Sequence, residues 1–290
     1  MVAFHIVTDS SARLALPYSA RTVQPQAASL TILANRIEVN GQTYREDIDI
    51  TSEDLLKLIA QQSVPPKIHP PTSEDFLNLY MHLAKKHEAI ISLHPSYQLS
   101  ASSYNARQAA QQLAGTSCPI VVMDSGTLCV GLGILVRYAV QLAQNESHLD
   151  RFVQQVRGAS ERVYSLYIVD SLEFLEYNRI VSPSRAILGT ILGIKPLVSL
   201  EQGHLQVVEK VRTRAQAVDR LVEFLVEFVD LEEAFIVQPR PHLSETARLL
   251  QDRLATDVPQ RQFPYTLYGA TLARWIGTDA LGVVVLERDF

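Results

Sequence analysis

The sequence predicts an α/β protein of two domains, in which an N-terminal parallel sheet flanked by helices precedes a C-terminal α/β domain. Its 290 residues are enough for two domains of ordinary size, at about 150 residues each. Short apolar runs typical of buried strands alternate with longer segments at helical spacing, a pattern typical of βαβ units. A polar segment at 144–149 and a further helix separate the halves, so we expect the domains to span residues 1–160 and 161–290.

The first elements of the chain are predicted to be strands. The apolar run Val2–Val7 ends at the turn formers Thr8–Ser11, as a buried strand would. Two short β-prone runs flank Asn40-Gly41, and Asn-Gly between such runs is the strongest short hairpin signal. We therefore expect a small β-hairpin excursion near residues 25–50.

Two helix starts follow, and both carry the sequence pattern of a capping box. Thr51 and Thr72 are each followed three positions later by an aspartate, and then by apolar residues at helical spacing. The stretch 64–71 between the two helices contains four prolines, which exclude a helix and favour an extended loop.

The alternation of strands and helices becomes regular after these helices. We predict the following elements there: strand 89–93, helix 101–114, strand 119–123 and helix 128–143. Because parallel sheets bind ligands at the carboxyl ends of their strands, the loops 8–11, 94–100 and 124–126 are the expected ligand surface.

The second half is predicted to continue as an α/β domain. Its predicted elements are strand 163–169, a short helix from 171, strands 194–200 and 204–211, helix 213–229, strand 234–237, helix 243–254, and strands 265–268 and 281–286. Glu201-Gln202-Gly203 between two of these strands is typical of a hairpin turn.

The composition excludes several classes of protein. The formal net charge is −5, so the surface repels phosphate backbones and nucleic acid is not expected as a partner. The strongly apolar stretch 127–136 is about half as long as a membrane span, so we expect no transmembrane segment. Two cysteines, Cys118 and Cys129, favour a reducing compartment over a disulfide framework, and we expect a cytoplasmic protein.

Common catalytic motifs are absent from the sequence. It contains no G-x-x-x-x-G-K-[ST] phosphate loop, no G-x-S-x-G elbow and no H-E-x-x-H motif, so neither catalytic residues nor a metal site are expected. The hydroxyl-rich segment 99–104 stands where a helix should begin, and the free N–H groups of a helix start suit a carboxylate or phosphate. Ser100 is therefore either a plain N-cap residue or part of an anion site.

Five segments, taken in order along the chain, match those of one known family. They are Ile6–Ser11; Leu99–Ser102, where the family usually has Leu-Ser-Gly-Thr; Val122–Ser125 followed by Gly131 and Gly133; Arg179-Ile180 with Ala186–Gly189 and Ile194–Leu197; and Val211–Arg214. On these segments the chain resembles the DegV family over nearly its whole length, and it is identified as a divergent member.

The resemblance implies a two-domain fatty-acid-binding protein that carries no catalysis and no cofactor. Members of the family hold one long-chain fatty acid, such as palmitate or a similar acyl ligand, with its tail in an apolar tunnel and its carboxylate between the domains. In several bacteria such proteins present the acid to the catalytic subunit of a fatty acid kinase. The resemblance therefore implies that subunit as a candidate partner, with Arg212 and Arg214 as the partner-binding residues.

The candidate head-group site departs from the family pattern. In an ungapped match Ile68 stands where the family has the threonine that contacts the carboxylate, with His69 beside it, whereas a gapped match places Thr72 there. Trp275 stands at a histidine of the family's late glycine-rich segment, and Ser100 is retained. The ligand-binding candidates are Ser100, Ala101, Ser96, Ile68, His69, Thr72, Arg179 and Trp275.

Two other functions stay open from the sequence. One is a small-molecule hydrolase or kinase-like enzyme that uses Asp9, Ser10 or Asp124 at the sheet edge, and the absence of catalytic motifs disfavours it. The other is a carrier-like regulator that has lost lipid binding, which the loss of the family's threonine and histidine favours.

Overall fold

A computed structural model describes residues 4–14 and 30–289 of the chain. The elements of its first half are β1 (Phe4–Asp9), β2 (Leu30–Leu33), β3 (Arg36–Val39), β4 (Gln42–Arg45), α1 (Ser52–Ile59), β5 (Lys67–His69), α2 (Ser73–Leu83), β6 (Ala89–His94), α3 (Ser102–Gln112), β7 (Ile120–Asp124), α4 (Val130–Leu142) and α5 (Leu149–Glu161). Those of the second half are β8 (Val163–Ile168), α6 (Glu173–Tyr177), α7 (Pro183–Ile191), β9 (Lys195–Glu201), β10 (His204–Val211), α8 (Arg214–Val226), β11 (Leu231–Gln238), α9 (Glu245–Asp257), β12 (Tyr265–Leu267), α10 (Ala270–Ile276) and β13 (Leu281–Glu287).

The N-terminal sheet is parallel, as the alternation of strands and helices predicts. Its strand order is β2-β1-β6-β7, and Ile6 of β1 pairs with Ile91 of β6, which in turn pairs with Val121 of β7. On one face Val7 packs into a cluster with Phe76 of α2 and with residues of α3. The opposite face packs against α4, which contacts β1. The prediction of a parallel sheet flanked by helices is confirmed.

A three-stranded antiparallel sheet contains the predicted hairpin. Strands β3 and β4 pair around Asn40 and Gly41, whose φ angles of 54° and 73° are those that a two-residue hairpin turn requires. The prediction of a loop at 64–71 is wrong, because β5 pairs with β3 as a short edge strand between prolines. The excursion is smaller than predicted, because β2 pairs with β1 in the parallel sheet; residues 25–29 lie outside the described residues.

The six-stranded sheet of the second half is mixed. Its strand order is β10-β9-β8-β13-β11-β12, and β11 runs parallel to β12 while the other neighbours are antiparallel. Helices α7 and α10, which the sequence analysis did not predict, lie in this half. The two larger sheets use separate halves of the chain, and the domain boundary at residue 160 stays a prediction.

Helix α4 packs between the two larger sheets. It contacts β1 of the parallel sheet and both β8 and β13 of the mixed sheet, and every residue from Val130 to Val136 is buried. The backbone of Arg13 packs directly on Gly133, where a Cβ would lie 1.6 Å from the Arg13 carbonyl oxygen. One hydrophobic core therefore runs through both halves, with Ile6 and Val284 among its buried members.

The two predicted capping residues begin their helices as expected. Thr72 Oγ1 accepts a hydrogen bond from Asp75 N at 3.2 Å, while the Asp75 carboxylate accepts one from Thr72 N at 2.9 Å. Thr51 Oγ1 accepts a hydrogen bond from Asp54 N in the same way at the start of α1. Within the part of the chain that the structure describes, no helix is both long and apolar enough to cross a bilayer.

Candidate functional site

A series of buried polar side chains lies at the carboxyl ends of β1 and β6. We term it the buried polar chain, and its members are Tyr80, Ser92, His94, Asp9 and Ser102. Tyr80 Oη donates a hydrogen bond to Ser92 Oγ at 2.6 Å, and Ser92 Oγ lies 2.7 Å from His94 Nε2. His94 Nδ1 lies 3.1 Å from Asp9 Oδ2, to which Ser102 Oγ also donates. The buried polar chain therefore ties α2, β6 and β1 to the start of α3.

Asp9 is the acidic member of the buried polar chain. Burial acts to raise its pKa, but the hydrogen bonds and charge of His94, together with hydrogen bonds from Ser102 and Ser11, outweigh this effect and hold the pKa of Asp9 below its usual value. Burial raises the pKa of Tyr80, so the phenol keeps the proton that it donates. An anionic carboxylate thus lies beside the first turn of α3, where a helix start favours negative charge.

Ser92, His94 and Asp9 are connected in the order of a hydrolase triad, in which an imidazole links a hydroxyl to a carboxylate. All three are fully buried, so the Ser92 hydroxyl is closed to a substrate in this structure. Sequence reasoning missed Ser92 and His94. They occupy alternate positions of β6, and alternate residues of a strand face the same side of a sheet. Two polar residues at alternate positions of a predicted strand, next to a predicted strand that ends in Asp9, are the sequence signal from which they could have been predicted.

The start of α3 is where the sequence analysis places the anion site. The N-cap residue is the exposed Ala101, which has no side-chain cap, so the interpretation of Ser100 as a plain N-cap is wrong. Ser100 is half-buried, and its Oγ accepts a hydrogen bond from Ser102 N at 3.2 Å. Ser103 buries an Oγ that has no hydrogen-bond partner among the described residues. The half-buried Ser100 hydroxyl is therefore free to donate to a ligand oxygen, while the Ser103 hydroxyl is buried and has no partner in the described part of the chain.

Ser96 connects the two halves of the chain. It is buried, and its Oγ donates a hydrogen bond to the Gly203 carbonyl oxygen at 2.8 Å and accepts one from Gln98 N at 3.2 Å. Gly203 lies in the predicted β9–β10 turn at a φ of 82°, and a Cβ there would lie 2.6 Å from Ser96 Oγ. The Ser96 hydroxyl is therefore used in a contact between the loop after β6 and this turn.

The three candidates in and just after β5, Ile68, His69 and Thr72, have different surroundings in the structure. Ile68 pairs with Ile37 and packs its partly buried side chain against the core. His69 is exposed, with Nε2 3.5 Å from a Glu38 carboxylate oxygen. The Thr72 hydroxyl is used in capping α2, where it also donates to the Asp75 carboxylate at 2.8 Å. The Thr72 hydroxyl is therefore already used within the protein, and His69 Nε2 faces the Glu38 carboxylate.

The remaining candidates lie in the second half of the chain. Arg179 is exposed at a φ of 60° and lines an open groove of about 660 Å³ together with Tyr177. Trp275 is half-buried on α10, and its Nε1 has no hydrogen-bond partner in the described part of the chain. Arg212 and Arg214 are exposed beside the start of α8, and Arg214 lines a separate pocket of about 380 Å³.

A second buried acid joins the end of β1 to the start of α10. Glu46 is 1% exposed; its Oε2 accepts a hydrogen bond from Ser10 Oγ at 2.7 Å and its Oε1 accepts one from Ala270 N at 3.3 Å. Burial raises the pKa of Glu46 to about 7, although the Arg13 guanidinium acts in the opposite direction. Arg13 itself pairs with Asp47 at 2.6 Å. Glu46 thus holds three separate segments together.

The cysteines and the described acidic residues offer no metal centre. Among residues 4–14 and 30–289, no group of three or more His, Cys, Asp or Glu side chains could hold a metal ion. Cys118 and Cys129 are both free and buried, and burial raises the pKa of Cys129 to about 12, so its thiol stays protonated.

Known proteins share both the sequence and the fold of this chain. The model of the DegV family, a family of uncharacterised proteins, matches residues 3–288. A DegV domain-containing protein of Streptomyces coelicolor is 28% identical over 285 residues, which cover 98% of each chain. The fatty acid binding DegV family protein of Streptococcus agalactiae has a TM-score of 0.84 at 23% identity, covering 99% of both chains. A fatty acid binding DegV family protein of Thermus thermophilus has a TM-score of 0.81 at 22% identity, covering 99% of this chain and 100% of that one. The resemblance drawn from the sequence is confirmed, and the chain belongs to the DegV family.

Proposed function

We propose that the chain binds a long-chain fatty acid, such as palmitate, with the carboxylate at the start of α3, and that it catalyses no reaction on this ligand. The observation that carries the proposal is the helix start itself, where Ser100 is half-buried and the buried Ser103 hydroxyl has no partner in the described part of the chain. Two structures described as fatty acid binding share the fold over nearly the whole chain, which supports the same class of ligand.

Elementary energetics favours this combination of an acyl chain and a hydroxyl-rich helix start. A dozen buried methylenes, at roughly 0.8 kcal/mol each, contribute on the order of 10 kcal/mol before the costs of association. The carboxylate must replace its lost hydrogen bonds to water, because an unpaired buried charge costs far more than one hydrogen bond returns. The N–H groups of a helix start and the adjacent serine hydroxyls are suitable donors.

The enzymatic alternative has less support. Asp9 belongs to the buried polar chain, and Ser10 donates its hydrogen bond to Glu46. Asp124 accepts hydrogen bonds from Tyr97 N and Gly126 N, both at 2.8 Å. Each of the three residues proposed for catalysis therefore holds a loop in place. The other alternative, a regulator that has lost lipid binding, predicts that the wild-type protein does not bind palmitate in the following experiment.

We expect Ser100→Ala to weaken palmitate binding about 5- to 20-fold, because the variant removes one hydrogen bond to a charged group. Isothermal titration of the delipidated protein with palmitate measures the effect. Ser147→Ala, which changes an exposed loop serine, is the matched control and should bind like the wild type. A wild-type protein that binds no palmitate and carries no extractable acyl chain would contradict the proposed function.

We further propose that the exposed surface at Arg212 and Arg214 contacts a fatty acid kinase subunit. Neither guanidinium has an ion-pair partner among the described residues, and exposed cations of this kind commonly steer an acidic partner. We expect Arg214→Glu to slow phosphorylation of the bound acid by a purified bacterial kinase subunit about tenfold or more. Affinity for palmitate, measured in parallel, should stay at the wild-type value; a parallel loss of both would indicate a folding role for Arg214.

A further inference from the structure

Arg274 on α10 is a partly buried cation that lacks an acidic partner. Its Nη1 donates a hydrogen bond to Asn178 Oδ1 at 3.3 Å, and its guanidinium carbon lies 5.1 Å from the centre of the Trp275 ring. Asn178 Nδ2 donates in return to the Arg274 carbonyl oxygen at 2.9 Å. Burial lowers the pKa of Arg274, and the neighbour that opposes this effect is Tyr177, a phenol. The guanidinium therefore has no carboxylate partner in the described part of the chain.

Three other partly buried arginines of the chain are each compensated by an acid. Arg13, Arg137 and Arg162 have side chains that are 21%, 17% and 16% exposed, and each pairs with a carboxylate. Removing a guanidinium from water costs free energy, which a carboxylate or comparable anion can offset. An asparagine oxygen at 3.3 Å and an aromatic face offset only part of this cost for Arg274. An unpaired cation of this kind suits an anionic ligand.

Arg274 also lies beside the elements that lead to the proposed ligand site. Helix α10 contacts β5, and Tyr177 is close enough to interact electrostatically with both Arg274 and Lys67 of β5. Directly after β5, the Pro71 carbonyl oxygen accepts a hydrogen bond from Asn105 Nδ2 of α3 at 2.8 Å. Helix α10, which carries Arg274, is therefore linked through β5 and the residues directly after it to α3, whose start lies next to Ser100.

We propose that Arg274 pairs with the carboxylate of the bound fatty acid and makes the site selective for acids over neutral lipids such as alcohols and esters. This inference rests on the proposed function and names the residue that sets its ligand class. A guanidinium presents two parallel N–H donors that match the two oxygens of a carboxylate. The half-buried Trp275 on the same helix and the apolar Ile68 on β5 supply apolar surface and a single N–H donor, but no charge.

The experiment compares palmitate with 1-hexadecanol, which has the same chain length and no charge. Both ligands are titrated into delipidated wild type, Arg274→Gln, Arg274→Lys and the control Arg248→Gln, whose exposed guanidinium lies on α9. We expect Arg274→Gln to weaken palmitate binding about tenfold or more and to change hexadecanol binding by less than about twofold. Arg274→Lys should show an intermediate loss for palmitate, and Arg248→Gln should match the wild type.

The outcomes separate this inference from the proposed function. Wild-type palmitate affinity in Arg274→Gln overturns the role of Arg274 and leaves fatty acid binding intact. An equal loss for palmitate and hexadecanol shows a structural role and also overturns the inference. If Arg274→Gln does not fold, the ratio of the two affinities in Arg274→Lys decides, because an unchanged ratio refutes selectivity through the guanidinium. A wild type that binds neither ligand refutes the proposed function and this inference together.

Discussion

Gly133→Ala is expected to destabilise the protein by about 3 kcal/mol or more, at the upper end of the cost of overpacking a core. The new Cβ would lie 1.6 Å from the carbonyl oxygen of Arg13 and 2.3 Å from its carbonyl carbon. These are backbone atoms, so no side-chain rotation relieves the clash. Relief requires α4 to move away from the segment after β1, and α4 is buried between the two larger sheets. The change therefore disturbs packing in both halves of the chain.

The measurement is urea unfolding followed by circular dichroism, with Gly158→Ala as the matched control. Gly158 lies within α5, and a Cβ built there meets no atom within 4 Å. Alanine is a better helix former than glycine, so this control should raise the free energy of unfolding by about 0.5–1 kcal/mol. Equal stabilities of the two variants would show that α4 and the Arg13 segment do not approach as closely as described.

Local patterns were enough to predict most of the first half of the fold. The helix caps at Thr51 and Thr72 and the Asn40-Gly41 turn act through neighbouring residues, so each signal is complete within a few positions. Strand β5 was missed because its pairing with β3 is a tertiary contact, while the flanking prolines favour a loop. Helix α10 has only seven residues, five of which are buried, so it shows no clear amphipathic period.

The candidate site was only partly predictable, for a similar reason. Ser100 and Ala101 are candidates from the sequence because a hydroxyl-rich segment at a helix start is a local signal. The contact of Ser102 with Asp9 joins residues 93 positions apart, and it exists because β1 and β6 are neighbours in the sheet. Arg274, which we propose for the site, is not a candidate from the sequence, because its lack of a carboxylate partner among the described residues is a property of the packed structure and leaves no pattern in the sequence.

Glu46→Gln is expected to remove a pH dependence of stability that the wild type shows between about pH 4.5 and pH 7. The pKa of Glu46 is raised from 4.5 to about 7 in the folded chain, chiefly by burial. As pH rises through this window, the unfolded chain releases the proton first while the folded chain retains it. The free energy of unfolding therefore falls with rising pH, by about 3 kcal/mol in total, and levels off above pH 7.

Urea unfolding of wild type and Glu46→Gln at pH 5 and pH 8 tests this expectation. The variant should gain stability relative to the wild type on going from pH 5 to pH 8, by about 2–3 kcal/mol. Taking the difference in the free energy of unfolding between the two proteins cancels the contributions of other titrating groups. Asp9 is one of them, and its lowered pKa changes stability only at the acidic end of the pH range. Glu161→Gln at the exposed end of α5 is the control and should show no such gain.

Whether Glu46→Gln gains or loses stability at pH 8 also tests how the Glu46 carboxyl group is paired between the two halves of the chain. Ser10 Oγ and Ala270 N both donate to its carboxyl oxygens, and a glutamine keeps one oxygen acceptor in the same place. If Arg13 compensated the buried charge fully, the ionised form would be the stable one and the variant would lose stability at pH 8. Arg13 instead donates its hydrogen bonds to Asp47 and Ser52. Its positive charge is therefore shared between Asp47 and Glu46 and does not compensate Glu46 fully. A stability difference that stays constant from pH 5 to pH 8 would show that folding does not raise the pKa of Glu46, and would contradict this prediction.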